Sequence, residues 1–164
     1  ANEVHLPRYN KDIVQKLSKG MPMNARVLEF GAGIGSLAQI WAQETGIKPI
    51  CLEIDPNLQK IIRDRGFDCY SNLEDINGLF DLIYSSNVLE HIEDDQKALE
   101  QLYQKLKPGG ILTLYLPAFQ CLYSNFDAAI GSVDFIFSTI TLSILLSFGH
   151  INYILVWLFT ISIY

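Results

Sequence analysis

The residues best suited to do chemistry stand close together in "VLEFGAGIGSLA", Val27 to Ala38, where Gly31, Gly33 and Gly35 follow the acid Glu29. A glycine loop running from a strand into a helix lets a ligand approach the backbone and turns unpaired N–H groups toward it. Taken from Gly33, "GIGSLA" fits the dinucleotide fingerprint, and Glu53 follows at a workable distance for a ribose acid. Taken from Gly31, the same stretch is E-x-G-x-G-x-G. A carboxylate beside a pyrophosphate is repelled. Beside an amino group and a sulfonium it is attracted, by several kcal/mol in a poorly hydrated cleft before desolvation is subtracted. Glu29 therefore favours a cationic ligand over a dinucleotide.

The elements that position these residues follow from periodicity. Tyr9 to Ser18 spaces Ile13, Val14 and Leu17 as a helix and stops at Gly20. Arg26 to Phe30 is a strand, Ser36 to Glu44 a helix, Lys48 to Ile54 a second strand and Asn57 to Asp64 a second amphipathic helix. Phe67 to Tyr70, "FDLIYSSN" and "GGILTLYLP" supply three more strands, with a helix over Asp94 to Leu106 before the last. Strands alternating with helices at this pitch predict an α/β, Rossmann-like doubly wound, mainly parallel sheet with helices on both faces. Ligands of such sheets bind beyond the carboxyl ends of the strands. The Gly31 loop, Glu53, Asn72 to Asp75 and Asn87 to His91 all fall on that edge.

Composition narrows the classes. The chain has 164 residues, 49% of them hydrophobic and 18% charged, which is material for one packed domain. A net charge of −6 and no Lys/Arg run argue against a nucleic-acid partner. Cys51, Cys69 and Cys121 are too scattered for a metal pair, so no metal is expected and they are read as buried thiols of a reducing compartment. The first residues are mixed and polar, with neither a signal peptide nor an initiator Met, so a cytoplasmic, processed or partial chain is expected.

Four segments in order, "VLEFGAGIGSLA", "CLEIDPNL", "FDLIYSSNVLEHIEDD" and "LKPGGILTLYLP", resemble the motifs of class I S-adenosylmethionine-dependent methyltransferases. The resemblance runs from about Tyr9 to Gly131 and is nearest to the bacterial small-molecule enzymes, those of quinone biosynthesis among them. It implies S-adenosylmethionine as cofactor and a small-molecule methyl acceptor. Gly31, Gly33 and Gly35 would admit the methionine part of the cofactor and Glu29 would orient its amino group. Glu53 would accept both ribose hydroxyls, since a carboxylate offers two acceptor oxygens to a vicinal diol. Ile54 and Leu73 would flank the adenine, and Asn87 would join them at the cofactor. The family commonly places an Asp after the third strand to accept from the adenine amino group. Asn72 stands there instead, and its amide oxygen can accept the same bond, with Glu74 or Asp75 as alternatives for that role.

His91 lies in the loop where related enzymes face the transferred methyl group, and its imidazole would take a proton from a substrate hydroxyl. The alternative is an imidazole that only bonds neighbouring backbone. Glu29 likewise has a purely structural alternative, a buried carboxylate satisfied by a backbone N–H. Glu93, Asp94 and Asp95 are expected to favour a helix N-terminus and to do no chemistry.

The resemblance stops after "LYSNFDAAIG". From Pro108 onward the only formal charges are Asp127 and Asp134. The sequence thus divides into a cofactor-binding domain over 1–131 and an apolar tail over 132–164, uncharged after Asp134. The tail allows three readings. Phe135 to Phe148 forms a helix and Ile151 to Trp157 a sixth strand, with the seventh missing; or Phe135 to Tyr164 meets a membrane or protein partner; or the reading frame is altered. Two other functions stay open: an NAD-binding oxidoreductase, and a truncated domain that binds cofactor without turnover.

Overall fold

The computed structural model describes residues 7–117 and 153–159. In chain order the elements are α1 (Pro7–Leu17), β1 (Val27–Phe30), α2 (Ser36–Thr45), β2 (Ile50–Leu52), α3 (Pro56–Asp64) and β3 (Cys69–Tyr70). They continue as β4 (Phe80–Ser86), α4 (Asp95–Gln104), β5 (Leu106–Pro117) and β6 (Tyr153–Phe159). Single 3-10 turns at Leu73–Asp75 and Leu89–His91 follow β3 and β4. The strands form one sheet in the order β3-β2-β1-β4-β5-β6, every described pairing parallel. This is the expected doubly wound sheet. Its strand order reverses between β1 and β4, which places the ligand crevice beyond their carboxyl ends.

Local chemistry sets the helix boundaries. Asp55 caps α3 by accepting from Asn57 N at 2.8 Å, and Pro56 at the first position has no N–H to leave unpaired. Asp94 caps α4 by accepting from Lys97 N at 3.0 Å, the structural role expected of that acidic run. Helix α4 ends at Gln104, two residues before the expected end, and β5 already begins at Leu106. Between them the pairing jumps from Phe80–Leu106 to Leu82–Ile111, so Lys107 to Gly110 bulge from the ladder. Pro108 cannot donate to a neighbouring strand, and such residues are tolerated at bulges.

Each face of the sheet is covered. Leu28, Ile83 and Leu112 pack against Leu99 and Leu102 of α4 on one side. On the other, Val27, Leu82 and Tyr84 meet Ile13 and Leu17 of α1 and Trp41 of α2. The Trp41 and Tyr84 rings stack at 4.1 Å with 7° between planes, and both are fully buried. Cys51 and Cys69 are free thiols, register partners on β2 and β3, inside a smaller cluster with Ala38 and Ile62.

Strand β6 pairs with β5 from Ile111–Tyr153 to Pro117–Phe159. Of the strand read from the sequence, Tyr153 to Trp157 fall within β6, and Ile151 and Asn152 lie outside the described residues. The expected helix over Phe135 to Phe148, and Cys121, lie outside the described residues. Among the described residues no helix is long and apolar enough to cross a membrane.

Candidate functional site

The glycine loop is held from below by β2, since Gly31 N and Ala32 N both donate to Leu52 O, at 2.9 and 3.0 Å. Each glycine answers a different constraint. A Cβ on Gly31 would overlap the Val88 side chain, which packs onto the loop from the β4 side. At Gly35, just before α2, it would come within 3.2 Å of Ile62 Cγ1. At Gly33, whose φ is +56°, it would meet nothing within 4 Å. Gly31 and Gly35 are thus small because protein lies against them, whereas Gly33 faces open space on the ligand side of the sheet.

Glu53 closes the other side of that space. Its Oε2 accepts from Gly33 N at 2.7 Å and its Oε1 from Asp55 N at 3.0 Å. These bonds use two of the roughly four acceptor sites of a carboxylate, so each oxygen keeps one for a ligand hydroxyl. The turn carrying Glu53 is fixed by Gln59 of α3, whose Nε2 donates to Glu53 O at 2.7 Å, while Arg63 Nη2 donates to Gln59 Oε1 at 3.1 Å. Gln59 went unrecognised in the sequence, although a polar residue three positions before Ile62, on the apolar stripe of α3, was its signal.

Glu29 points to the α1–α2 side and is 3% exposed. Its register partners are Cys51 on β2 and Tyr84 on β4. Burial, with a smaller contribution from the Glu53 charge, pushes its carboxyl up to about 8; the Tyr84 hydroxyl and the Ala38 N–H work the other way. The buried Tyr84 hydroxyl lies toward Glu29 without a completed hydrogen bond, and of the two donors it holds the carboxyl down the more. Neither of the ion pairs among the described residues involves Glu29.

The remaining candidates are spread along the same edge. Ile54, next to Glu53, is 81% exposed and offers a bare apolar surface, whereas Leu73 packs partly against the α4 side of the core. Asn72 Nδ2 donates to Asp75 Oδ2 at 3.1 Å. With its Nδ2 donating to Asp75, the Asn72 amide keeps its oxygen as an acceptor. Asn87 adopts φ +55°, a left-handed conformation that Asn tolerates better than most residues, and its N–H donates to Tyr115 O at 2.9 Å. The next residue, Val88, is the one over Gly31. Sequence spacing carried no sign of that contact, because it joins two loops across the strand reversal. His91 is exposed, its backbone N–H bonded to Val88 O at 2.9 Å, and its imidazole has no hydrogen bond among the described residues. The structure brings the glycines, Glu29 and Glu53 into one cluster. Asn72 and Leu73 lie to one side of it and Asn87 and His91 to the other. Among the described residues no group of His, Cys, Asp and Glu could hold a metal.

The chain matches the family described as "Methyltransferase domain" over residues 3–153. It is 29% identical over 100 residues to trans-aconitate 2-methyltransferase of Deinococcus radiodurans, a match covering 57% of this chain and 38% of that one. The chain thus spans little more than a third of that relative's length. Among solved structures it is similar to the S-adenosylmethionine-bound amino pentose methyltransferase CalS10 of Micromonospora echinaspora, at TM-score 0.56 and 22% identity over 65% of this chain and 49% of that one. It is also similar to the N-methyltransferase NodS of Bradyrhizobium japonicum, at TM-score 0.59 and 19% identity over 85% of this chain and 84% of that one. Those likenesses establish a common fold, and the sequence match extends across nearly the whole chain: it belongs to the methyltransferase-domain family.

Proposed function

We propose that this domain binds S-adenosylmethionine at the carboxyl edge of β1, β2 and β3 and directs its methyl group to a small-molecule nucleophile bound beyond β4. One observation carries the choice of cofactor. The Gly33 N–H, which a pyrophosphate would need, is already taken by the Glu53 carboxylate at 2.7 Å. A dinucleotide would therefore lose a donor and meet a negative charge where its own charge must sit. A vicinal diol meets the opposite situation, two carboxylate oxygens with spare acceptor capacity.

The other residues fit the same ligand. Gly33 leaves room for the methionine portion and Glu29 supplies a carboxyl on the side of its ammonium. Exposed Ile54 provides one apolar face for adenine, Leu73 the other, and the Asn72 amide oxygen accepts from the adenine amino group. Asn87 stands on the β4 side of the same crevice. When bound, S-adenosylmethionine supplies a sulfonium-activated methyl carbon open to in-line displacement. The protein contributes position, worth several powers of ten when the reacting atoms are held in line, and exclusion of water. The relatives named above, which act on trans-aconitate and an amino pentose, support a small acceptor. Strand β6, parallel to β5, supports a tail that completes this sheet rather than one that enters a bilayer.

Calorimetry with S-adenosylmethionine and NAD in parallel tests the assignment: heat of binding is expected with the first and none with the second. Glu53→Ala is expected to weaken S-adenosylmethionine binding about ten- to a hundredfold while the domain stays folded, the cost of a charged acceptor lost to two hydroxyls. Unchanged affinity in a folded variant removes Glu53 from the ribose.

His91 is assigned as the base that takes the acceptor's proton, because its imidazole is exposed beside the crevice without a hydrogen-bond partner among the described residues. His91→Ala is expected to lower the rate of methyl transfer about a hundredfold or more. The loss should shrink as pH rises and the acceptor ionises unaided. A variant with weaker cofactor binding and an unaltered chemical step would make His91 structural.

A further inference from the structure

Glu29 is the acid of the cluster that is buried without a cationic partner among the described residues. Its surroundings differ from those of Glu53, which receives two backbone N–H groups and lies nearer the surface. From β2 the Cys51 thiol approaches Glu29 Oε2 at 4.0 Å, a weak donor whose own ionisation is opposed by burial and by Glu29. From β4 comes the Tyr84 hydroxyl, buried and without a hydrogen bond, also held in its neutral form by burial. From α2 comes the Ala38 N–H, and from the turn after β2 the Glu53 carboxylate. One strand further, the Cys69 thiol is pushed up chiefly by burial, with the Arg63 cation opposing and Glu53 and Glu29 adding to the rise. Among the described residues, every group that acts on the Glu29 carboxyl is therefore neutral or negative.

We infer that Glu29 is held as the neutral acid before cofactor arrives and surrenders its proton when the cofactor's ammonium is seated, so that S-adenosylmethionine binding releases a proton. The inference rests on the cofactor assignment above and deepens it. An acid that stays protonated to about 8 in the unliganded site is almost wholly neutral at pH 6.5. A cation brought beside it reverses the balance of charge, favouring the carboxylate. The proton then passes to buffer while the ammonium takes its place as the positive partner. No covalent step is involved, and charge is conserved.

The linkage is read by titrating the full chain with S-adenosylmethionine at pH 6.5 in two buffers of different ionisation enthalpy. The cofactor's own α-amino group, with an ordinary value of about 8, is already protonated there and contributes little. Close to one proton is expected to leave per cofactor bound. The probe 5′-methylthioadenosine, which lacks the amino-acid portion, should bind through Glu53 and the adenine contacts and release none. Glu29→Gln should likewise abolish the release. Binding of S-adenosylmethionine with the same heat in both buffers overturns the inference and leaves the cofactor assignment intact. Equal release with 5′-methylthioadenosine also overturns it, by placing the proton elsewhere. No binding of S-adenosylmethionine at all removes the cofactor assignment and this inference with it.

Discussion

Alanine at Gly31 is expected to destabilise the domain by about 2 to 4 kcal/mol, measured by urea unfolding. Two independent costs combine. Gly31 holds φ +78°, a conformation that L-residues adopt only with strain, and its new Cβ would stand 2.7 Å from Val88 Cγ1 with a closer overlap at Cγ2. Val88 cannot withdraw freely, because its carbonyl accepts from His91 N at 2.9 Å. Gly33→Ala separates the two costs, since it carries a positive φ but meets no neighbour within 4 Å. It should lose only about 1 to 2 kcal/mol, while placing a methyl group in the ligand's space. Val88→Ala added to Gly31→Ala should recover part of the loss. Equal destabilisation by the two glycine variants would show that Val88 does not press on the loop.

Glu29→Gln is expected to stabilise the domain in alkali and to leave it nearly unchanged in acid. The folded-state carboxyl of Glu29 lies at about 8, above the 4.5 of an unhindered glutamate, so between those values the folded chain holds a proton that the unfolded chain has lost. Stability from this group is therefore complete below about 4.5 and drains away as pH rises toward 8. By pH 9 the wild-type domain carries a buried charge without a cation. Glutamine keeps the size of the side chain and cannot ionise. Denaturant melts should show the variant more stable by about 3 to 5 kcal/mol at pH 9 and within about 1 kcal/mol at pH 5. A constant difference across that range would mean that Glu29 is ionised in the folded protein at low pH as well.

Much of this was legible without coordinates, for reasons that differ by residue. Alternating apolar strands and 3.6-residue helices specify a wound parallel sheet, because each pattern buries its apolar face in only one kind of layer. Once that sheet is inferred, chain connectivity alone puts the glycine loop, Glu53, Asn72, Asn87 and His91 on its carboxyl edge. Asp94 announced itself as a cap by its place before a helix. Residue types also named the ligand classes, a carboxylate two residues before a glycine loop being apt for a cation and ill suited to a phosphate. The end of α4 was overestimated because Lys105 and Leu106 suit a helix as well as a strand, and pairing with Phe80 decides for the strand.

What only the tertiary structure decided is how these residues constrain one another. The resemblance to the family led to the expectation of Glu53 at a ribose, but the bond from Gly33 N to its carboxylate, which occupies a loop N–H, joins residues twenty positions apart. Gly31 reads as an open approach for ligand, yet the space over it belongs to Val88, brought there by the reversal of strand order between β1 and β4. Glu29 reads as a charge, and burial between Cys51 and Tyr84 makes it an acid. Sequence determined which chemical groups reach the edge of the sheet, since strand and helix periods are local properties of the chain. Hydrogen-bond partners, close approach and dielectric surroundings depend on strands that meet only after folding, and they set the charge and accessibility of those groups.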